Sequence, residues 1–208
     1  MLRIDHAVLA VRDLEASAAR LWDGYGLRFV PGGRHPRWGT ANMIAPLGRE
    51  YLELLAVVDA DVGSTQPLGR TLLRLSEDGD RWFSICLADD DLEATASRLG
   101  LTVEAGGRTL PDGTEIRWRS AGIEERGDDL WLPFFIRWDA PPDRHPGAAT
   151  SGHRSDVTGI AWVEVGGERD RLSTWLVGTD LPIRVVDGAP GVRAVAVRAR
   201  DGGEIVLR

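Results

Sequence analysis

The sequence contains no lysine: all 25 of its basic residues are arginine. That excludes Schiff-base chemistry, a lysine general base and the lysine of a phosphate-binding P-loop. GxGxxG, HExxH and CxxC are missing too, so dinucleotide, zincin and dithiol chemistry have no motif to stand on. One cysteine, Cys86, cannot form an internal disulfide, which makes a cytoplasmic chain the expectation. It lies in the apolar run FSICLA and reads as a small buried hydrophobe rather than a nucleophile. No run approaches the roughly 18 apolar residues of a membrane span, and the first residues lack a signal-peptide pattern. The formal charge is −7, with acids and arginines interspersed. Nucleic acid and membrane are therefore not expected partners.

What is present is a repeat. With 208 residues and 43% hydrophobic content, the chain can bury a real core. DLEASAARL from Asp13 matches DLEATASRL from Asp91 at seven of nine positions, an offset of 78. LRFVPGGR from Leu27 lines up with LTVEAGGR from Leu101, an offset of 74 that Gly39-Thr40 and Gly113-Thr114 keep. Each copy opens with a strand, RIDHAVLAV or RWFSICLAD, followed by an Asp-capped helix ending at Gly26 or Gly100. A short strand, a Gly-Gly turn and two more strands complete a βαβββ module, the last strands being YLELLAVV and LPFFIRW.

The expected fold is therefore α+β. Paired modules at about 3–58 and 82–138 fill residues 1–138, an exposed Pro/Gly/Ser-rich linker spans 139–156, and a third, diverged βαβββ module occupies 157–208. An odd third module either packs on its own chain or seeks a second copy, and a homodimer is the expectation.

Paired modules with IDHAVLAV and YLELLAV as first and fourth strands resemble the vicinal oxygen chelate superfamily, which includes glyoxalase I, extradiol dioxygenases and bleomycin-binding proteins. GGRHPRWGTANM, YLELLAV and LPFFIRWD…HPG, in that order, resemble its glyoxalase-like domain proteins. The resemblance implies a half-open barrel whose cup holds a small molecule. It also implies a divalent metal (Zn, Fe, Mn or Ni) taken by ligands on the first and fourth strands, here His6 and Glu53. In the second module the matching positions are Ser84 and Phe135 or Phe134, so two of the family's four ligands are missing.

Strand alternation sets His6 with Ile4 and Val8, and Glu53 with Tyr51 and Leu55. His35, whose repeat counterpart is Thr109, is a candidate third ligand or proton carrier beside Glu53. Asn42, aligned with Ile116, is a candidate substrate donor, whereas Thr40 reads as turn framework. Tyr51, Ser84, Trp118 and Phe135 complete the expected binding wall, within an aromatic concentration that also includes Trp82, Trp131, Trp138 and Phe134. Arg117 and Arg119 read as solvated, as do His145 and His153 in the linker. Two functions stay open: an enzyme of lyase, isomerase or dioxygenase type, or a metal-free small-molecule binding or sequestering module.

Overall fold

A computed structural model describes residues 1–109, 115–150 and 152–208; Thr114 lies outside them. Among the described residues, twelve strands form two sheets. The first module runs β1 (Leu2–Ala10), α1 (Leu14–Tyr25), β2 (Val30–His35), β3 (Thr40–Pro46) and β4 (Tyr51–Val57). Two helices not anticipated from the sequence follow, α2 (Ala60–Gly63) and α3 (Pro67–Leu75). The second module runs β5 (Arg81–Asp89), α4 (Leu92–Leu99), β6 (Val103–Thr109), β7 (Glu115–Ala121) and β8 (Phe134–Trp138). After two 3-10 turns come β9 (Val157–Gly166), α5 (Arg169–Trp175), β10 (Ile183–Val186), β11 (Gly191–Ala199) and β12 (Glu204–Leu207). Among the described residues, no helix is long and apolar enough to cross a membrane.

The helix signals act as expected at α1, where the Asp13 carboxylate accepts the Ala16 N–H and Gly26 closes the helix at φ 68°. Gly100 ends α4 in the same way, but Asp91 makes no capping hydrogen bond there.

Strand order β2-β3-β4-β1-β5-β8-β7-β6 joins the two modules through antiparallel β1 and β5 into one curled half-barrel. Within each module the first strand pairs with the last in parallel, β1 with β4 and β5 with β8. The open edges β2 and β6 approach at the mouth. There Arg37 donates twice to Glu104 at 3.0 Å and Trp38 Nε1 donates to Glu124 at 2.8 Å.

The sheet separates two apolar layers. Val8, Leu55, Phe83, Phe134 and Ile136 face the cup together with Leu68 and Leu72 of α3. Leu9, Leu54, Ile85, Leu87 and Phe135 face outward and pack on α1, α4 and the C-terminal segment. That segment keeps the β-α-β-β-β element order but not the pairing. Its first strand, β9, lies between β10 and β11, so the four-stranded order is β10-β9-β11-β12. Its apolar face, including Ile160, Val163, Val195 and Val197, joins the outer core of residues 1–138. This face of the C-terminal sheet is thus covered within its own chain.

Two local expectations fail. The Gly-Gly pairs are not turns: Gly32-Gly33 lie inside β2 and Gly106-Gly107 inside β6, while the first hairpin turns at Pro36–Gly39 with Gly39 at φ 66°. A Cβ at Gly32 would collide with the Asn42 side chain, and one at Gly106 with the Trp118 indole. These glycines therefore clear space for the side chain that crosses them. The 139–156 segment is exposed along most of its length but not at its centre, where Pro146 and Gly147 are buried. Gly48 N–H donates to the Gly147 carbonyl at 2.8 Å, strapping the segment to the β3–β4 corner. His153 accepts the Arg28 N–H at 2.9 Å and lies 2.7 Å from the Pro46 carbonyl, so it too is a strap residue.

Candidate functional site

A β-bulge builds the centre of the site. Across β1 and β5, Ile4 pairs with Leu87 and His6 with Cys86, leaving Asp5 as an extra residue. The bulge breaks the alternation expected for this strand. Ile4 belongs to the outer core, whereas His6 and Val8 line the cup and Asp5 turns its carboxylate to His6.

Asp5 is 2% exposed and accepts three bonds, from His6 Nδ1 at 2.7 Å, Trp138 Nε1 at 2.9 Å and His145 Nε2 at 3.0 Å. Burial alone would raise its pKa, but the bonds and charges of His145 and His6 outweigh that and hold the carboxyl well below its ordinary range. His145, expected in solvent, is instead half-buried, and its Nδ1 accepts the Gly147 N–H at 3.0 Å. That bond assigns the proton of the neutral ring to Nε2, which faces Asp5.

The same reasoning orients His6. Its Nδ1–H donates to Asp5, so Nε2 is the ring atom that enters the cup, 3.4 Å from Glu53 Oε2. Tyr51 stacks on the ring at 4.4 Å and Phe134 meets its edge at 5.5 Å. Glu53 is fixed from the other side, its Oε1 accepting from Asn42 Nδ2 at 2.6 Å. Asn42 Oδ1 in turn accepts the Gly33 N–H at 2.6 Å, next to the space left by Gly32. The Gly-Gly pair of β2 therefore sets which way the amide faces, and through it the glutamate.

Ladder registers fix the counterparts in the second module. His6 pairs with Cys86 and Val8 with Ser84, a symmetric arrangement that makes Ser84 the equivalent of His6. Val8 pairs with Glu53 as Cys86 pairs with Phe134, so Phe134 stands where the carboxylate stands in module one. Phe135, expected in the binding wall, is fully buried on the outer face and stacks on Trp175 at 6.1 Å. Register also makes Ser120, not Ile116, the counterpart of Asn42, and pairs Gly106 with Trp118 as His35 pairs with Thr40. The 74-residue alignment does not survive in the ladder.

A charge missed in the sequence fills the second module's half. Arg126 is 6% exposed and lines the cavity. Its Nη1 donates to Ser84 Oγ at 2.9 Å and to the Leu130 and Leu132 carbonyls at 3.1 and 2.6 Å. Nε binds the Gly122 carbonyl, Nη2 reaches that of Ile123 at 3.3 Å, and the guanidinium lies 5.2 Å from the Phe134 ring. Burial pushes its pKa down to about 10, which still leaves it charged at neutral pH. EERGDD, the stretch that carries it, reads as a solvated charge cluster, so nothing in the sequence singles it out.

Between these poles lies a cavity of about 100 Å³. A single water needs about 10–15 Å³ on that measure, so there is room for a small organic molecule. Trp38, Phe83, Trp118 and Trp138 supply an aromatic wall, with Trp118 and Trp138 at 5.4 Å from each other. Trp82 and Trp131 belong to the outer core instead. His35 lines the cavity with Nδ1 3.0 Å from Thr40 Oγ1, which gives Thr40 a place in the wall beyond turn framework. Arg117 and Arg119 pair with surface acids, Glu115 and Glu93.

The described residues do not amount to the three protein ligands usual for a catalytic metal. His6 Nε2 and Glu53 Oε2 converge, but Ser84 is engaged by a guanidinium and Phe134 offers no donor atom. Asp5, His6 and Cys86 also cluster, through atoms already committed. Nδ1 of His6 carries the proton given to Asp5, and Asp5 accepts three bonds. The Cys86 thiol is pushed well up by burial and by the charges of Asp5 and Glu53, so it is no thiolate at neutral pH.

A family model described as a glyoxalase-like domain matches residues 4–180. No curated protein matches the chain in sequence. Among solved structures, a hypothetical protein from Staphylococcus aureus is 16% identical with a TM-score of 0.78, over 100% of this chain and 99% of that one, and so shares the fold of both sheets. Methylmalonyl-CoA epimerase from Mycobacterium tuberculosis is 17% identical with a TM-score of 0.45, covering 67% of this chain and 89% of its own. The Streptomyces coelicolor epimerase in complex with 2-nitronate-propionyl-CoA is 19% identical, TM-score 0.44, over 65% and 95%.

Proposed function

Taking as premise that the chain belongs to the glyoxalase-like domain family, we propose that its cup is the active site of an enzyme moving a proton on a small carbonyl compound, in the manner of an isomerase or lyase. The observation that carries this reading is the approach of His6 Nε2 to Glu53 Oε2 at 3.4 Å inside the cavity, with each side chain aimed by its own partner. An imidazole held by a carboxylate, facing a second carboxylate, is an acid–base pair built for orientation. The step requires Glu53 as carboxylate and a proton on His6 Nε2. Glu53 takes a proton from the carbon next to the carbonyl, the C–H electron pair enters the enolate, and His6 returns a proton to the carbon or to the enolate oxygen. Asp5 and Asn42 are positioning residues, and His35 stands outside the pair as a wall residue. The aromatic wall supports a second reading, a binding or sequestering module that performs no chemistry.

Deuterium incorporation from D₂O into a panel of small aldehydes, ketones and thioesters, followed by proton NMR, separates the two. We expect exchange in at least one compound, slowed at least 100-fold in both Glu53→Gln and His6→Ala. Compounds that bind in the cup but never exchange, or exchange that survives Glu53→Gln, would leave the sequestering reading in its place.

A further inference from the structure

Arg126 poses a problem that the proton-transfer pair does not solve. A buried cation is costly unless it is paired, and among the described residues no carboxylate lies within ion-pair distance of this one. Its bonds go to four carbonyls and a hydroxyl, which are neutral acceptors. Nη2 carries two hydrogens and meets one acceptor, the Ile123 carbonyl at 3.3 Å. The two acids of the cup are held elsewhere, Asp5 by three donors and Glu53 by the Asn42 amide, with His6 Nε2 at 3.4 Å. The guanidinium thus presents a positive charge, with no carboxylate at ion-pair distance, to a cavity whose second-module wall combines Phe83, Trp118, Phe134 and Trp138 with Ser120, Ile123 and Ile136.

We propose that Arg126 is the recognition group for an anionic ligand: the cup takes a small organic acid whose carboxylate meets the guanidinium while its body lies against Phe134 and the Trp118–Trp138 pair. Two poles then divide the ligand, the acid held by module two and the reacting carbon presented to module one. A carboxylate supplies the counter-charge that the fold withholds, and charge-assisted bonds in a water-poor site are the strong kind. That Arg126 stays charged under these conditions agrees with its pKa being lowered only to about 10 by burial. The inference rests on the cup being a ligand site, but not on the proton transfer.

The test is calorimetric titration of the intact protein with a panel of small aryl and alkyl carboxylic acids, each beside its neutral primary amide. We expect at least one acid to bind tenfold or more tighter than its amide, a preference lost in Arg126→Met and kept in Arg126→Lys. Should Arg126→Met fail to fold, the Arg126 Nε resonance of the wild-type protein is expected to shift with the acid and not with the amide. If no acid in the panel binds better than its amide, including the case in which none binds, the proposal is overturned. Acid preference without deuterium exchange would keep this inference and remove the proton-transfer reading. Exchange on neutral carbonyls with no acid preference would do the reverse.

Discussion

The two halves of the eight-stranded sheet share a backbone plan and oppose each other in chemistry. His6 and Glu53 occupy in one half the places that Ser84 and Phe134 occupy in the other. The first half spends its interior on oriented polar groups. Asp5 and Asn42 hold the imidazole and the carboxylate from behind, and a bulge and a glycine pair make room for the holding. The second half has an arginine reaching in from the β7–β8 connection, with the rings of Phe83, Phe134, Trp118 and Trp138 beside Ser120, Ile123 and Ile136. The repeated frame thus has its backbone geometry in common while the cup-facing residues of the two copies differ in chemistry. The second half is not simply emptied of polar chemistry, because a buried cation stands against Ser84.

The comparison can be broken most severely at Asp5. Asp5→Ala leaves the donors of His6, Trp138 and His145 without their acceptor, and we expect it to cost about 3–5 kcal/mol in urea unfolding. The sign of its pH dependence follows from a carboxyl whose folded pKa is depressed. Its contribution is complete above the unfolded value of about 3.9 and is lost as pH falls through the lower folded value. Wild-type stability should therefore drop through the acid range more steeply than that of the variant. Parallel acid limbs in the two proteins would contradict the assignment.

Next come the two phenylalanines. Phe135→Ala, in the outer core, should lose about 3–5 kcal/mol of stability and leave ligand affinity alone. Phe134→Ala opens onto an existing cavity, so it should cost less stability and weaken ligand binding instead. Denaturant titrations and binding isotherms of both variants decide it, and an interchange of the two behaviours would reverse the faces assigned to β8.

The smallest effect separates neighbouring glycines. Gly106→Ala drives a methyl into the Trp118 indole and should cost about 1–3 kcal/mol with a shift in tryptophan fluorescence. Gly107→Ala meets only the Ile116 carbonyl at 3.3 Å and the Arg117 side chain at 3.8 Å, so it should change stability by less than about 1 kcal/mol. Equal costs at the two positions would show that backbone strain, not the indole, demands glycine.

Much of the frame was legible because periodicity and punctuation report local geometry. Strand β1, the α1 cap at Asp13, the Gly26 and Gly100 stops and the duplication all follow from residues near in sequence. His6 and Glu53 were legible by resemblance, and their meeting in the cup follows from the β1–β4 register. What was not legible depends on contacts made across the fold. A one-residue bulge moved Asp5 to the side of His6, which alternation forbids. His145 reaches Asp5 from 140 residues away, and Arg126 is buried despite a sequence context that reads as solvent. The Gly-Gly pairs read as turns because glycine has two uses, positive φ and close approach, and a sequence does not say which is in force. The choice between Phe134 and Phe135 needed the parallel β5–β8 ladder.

The central claim is that this cup works through an oriented acid–base pair and a fixed arginine rather than through a metal held by both modules. Elemental analysis of protein prepared without chelators or an affinity metal tests it most directly, run on the wild type, His6→Ala and Glu53→Gln. The account predicts far less than one equivalent of transition metal in the wild type and no change in either variant. One equivalent of metal in the wild type that disappears in both variants would contradict it.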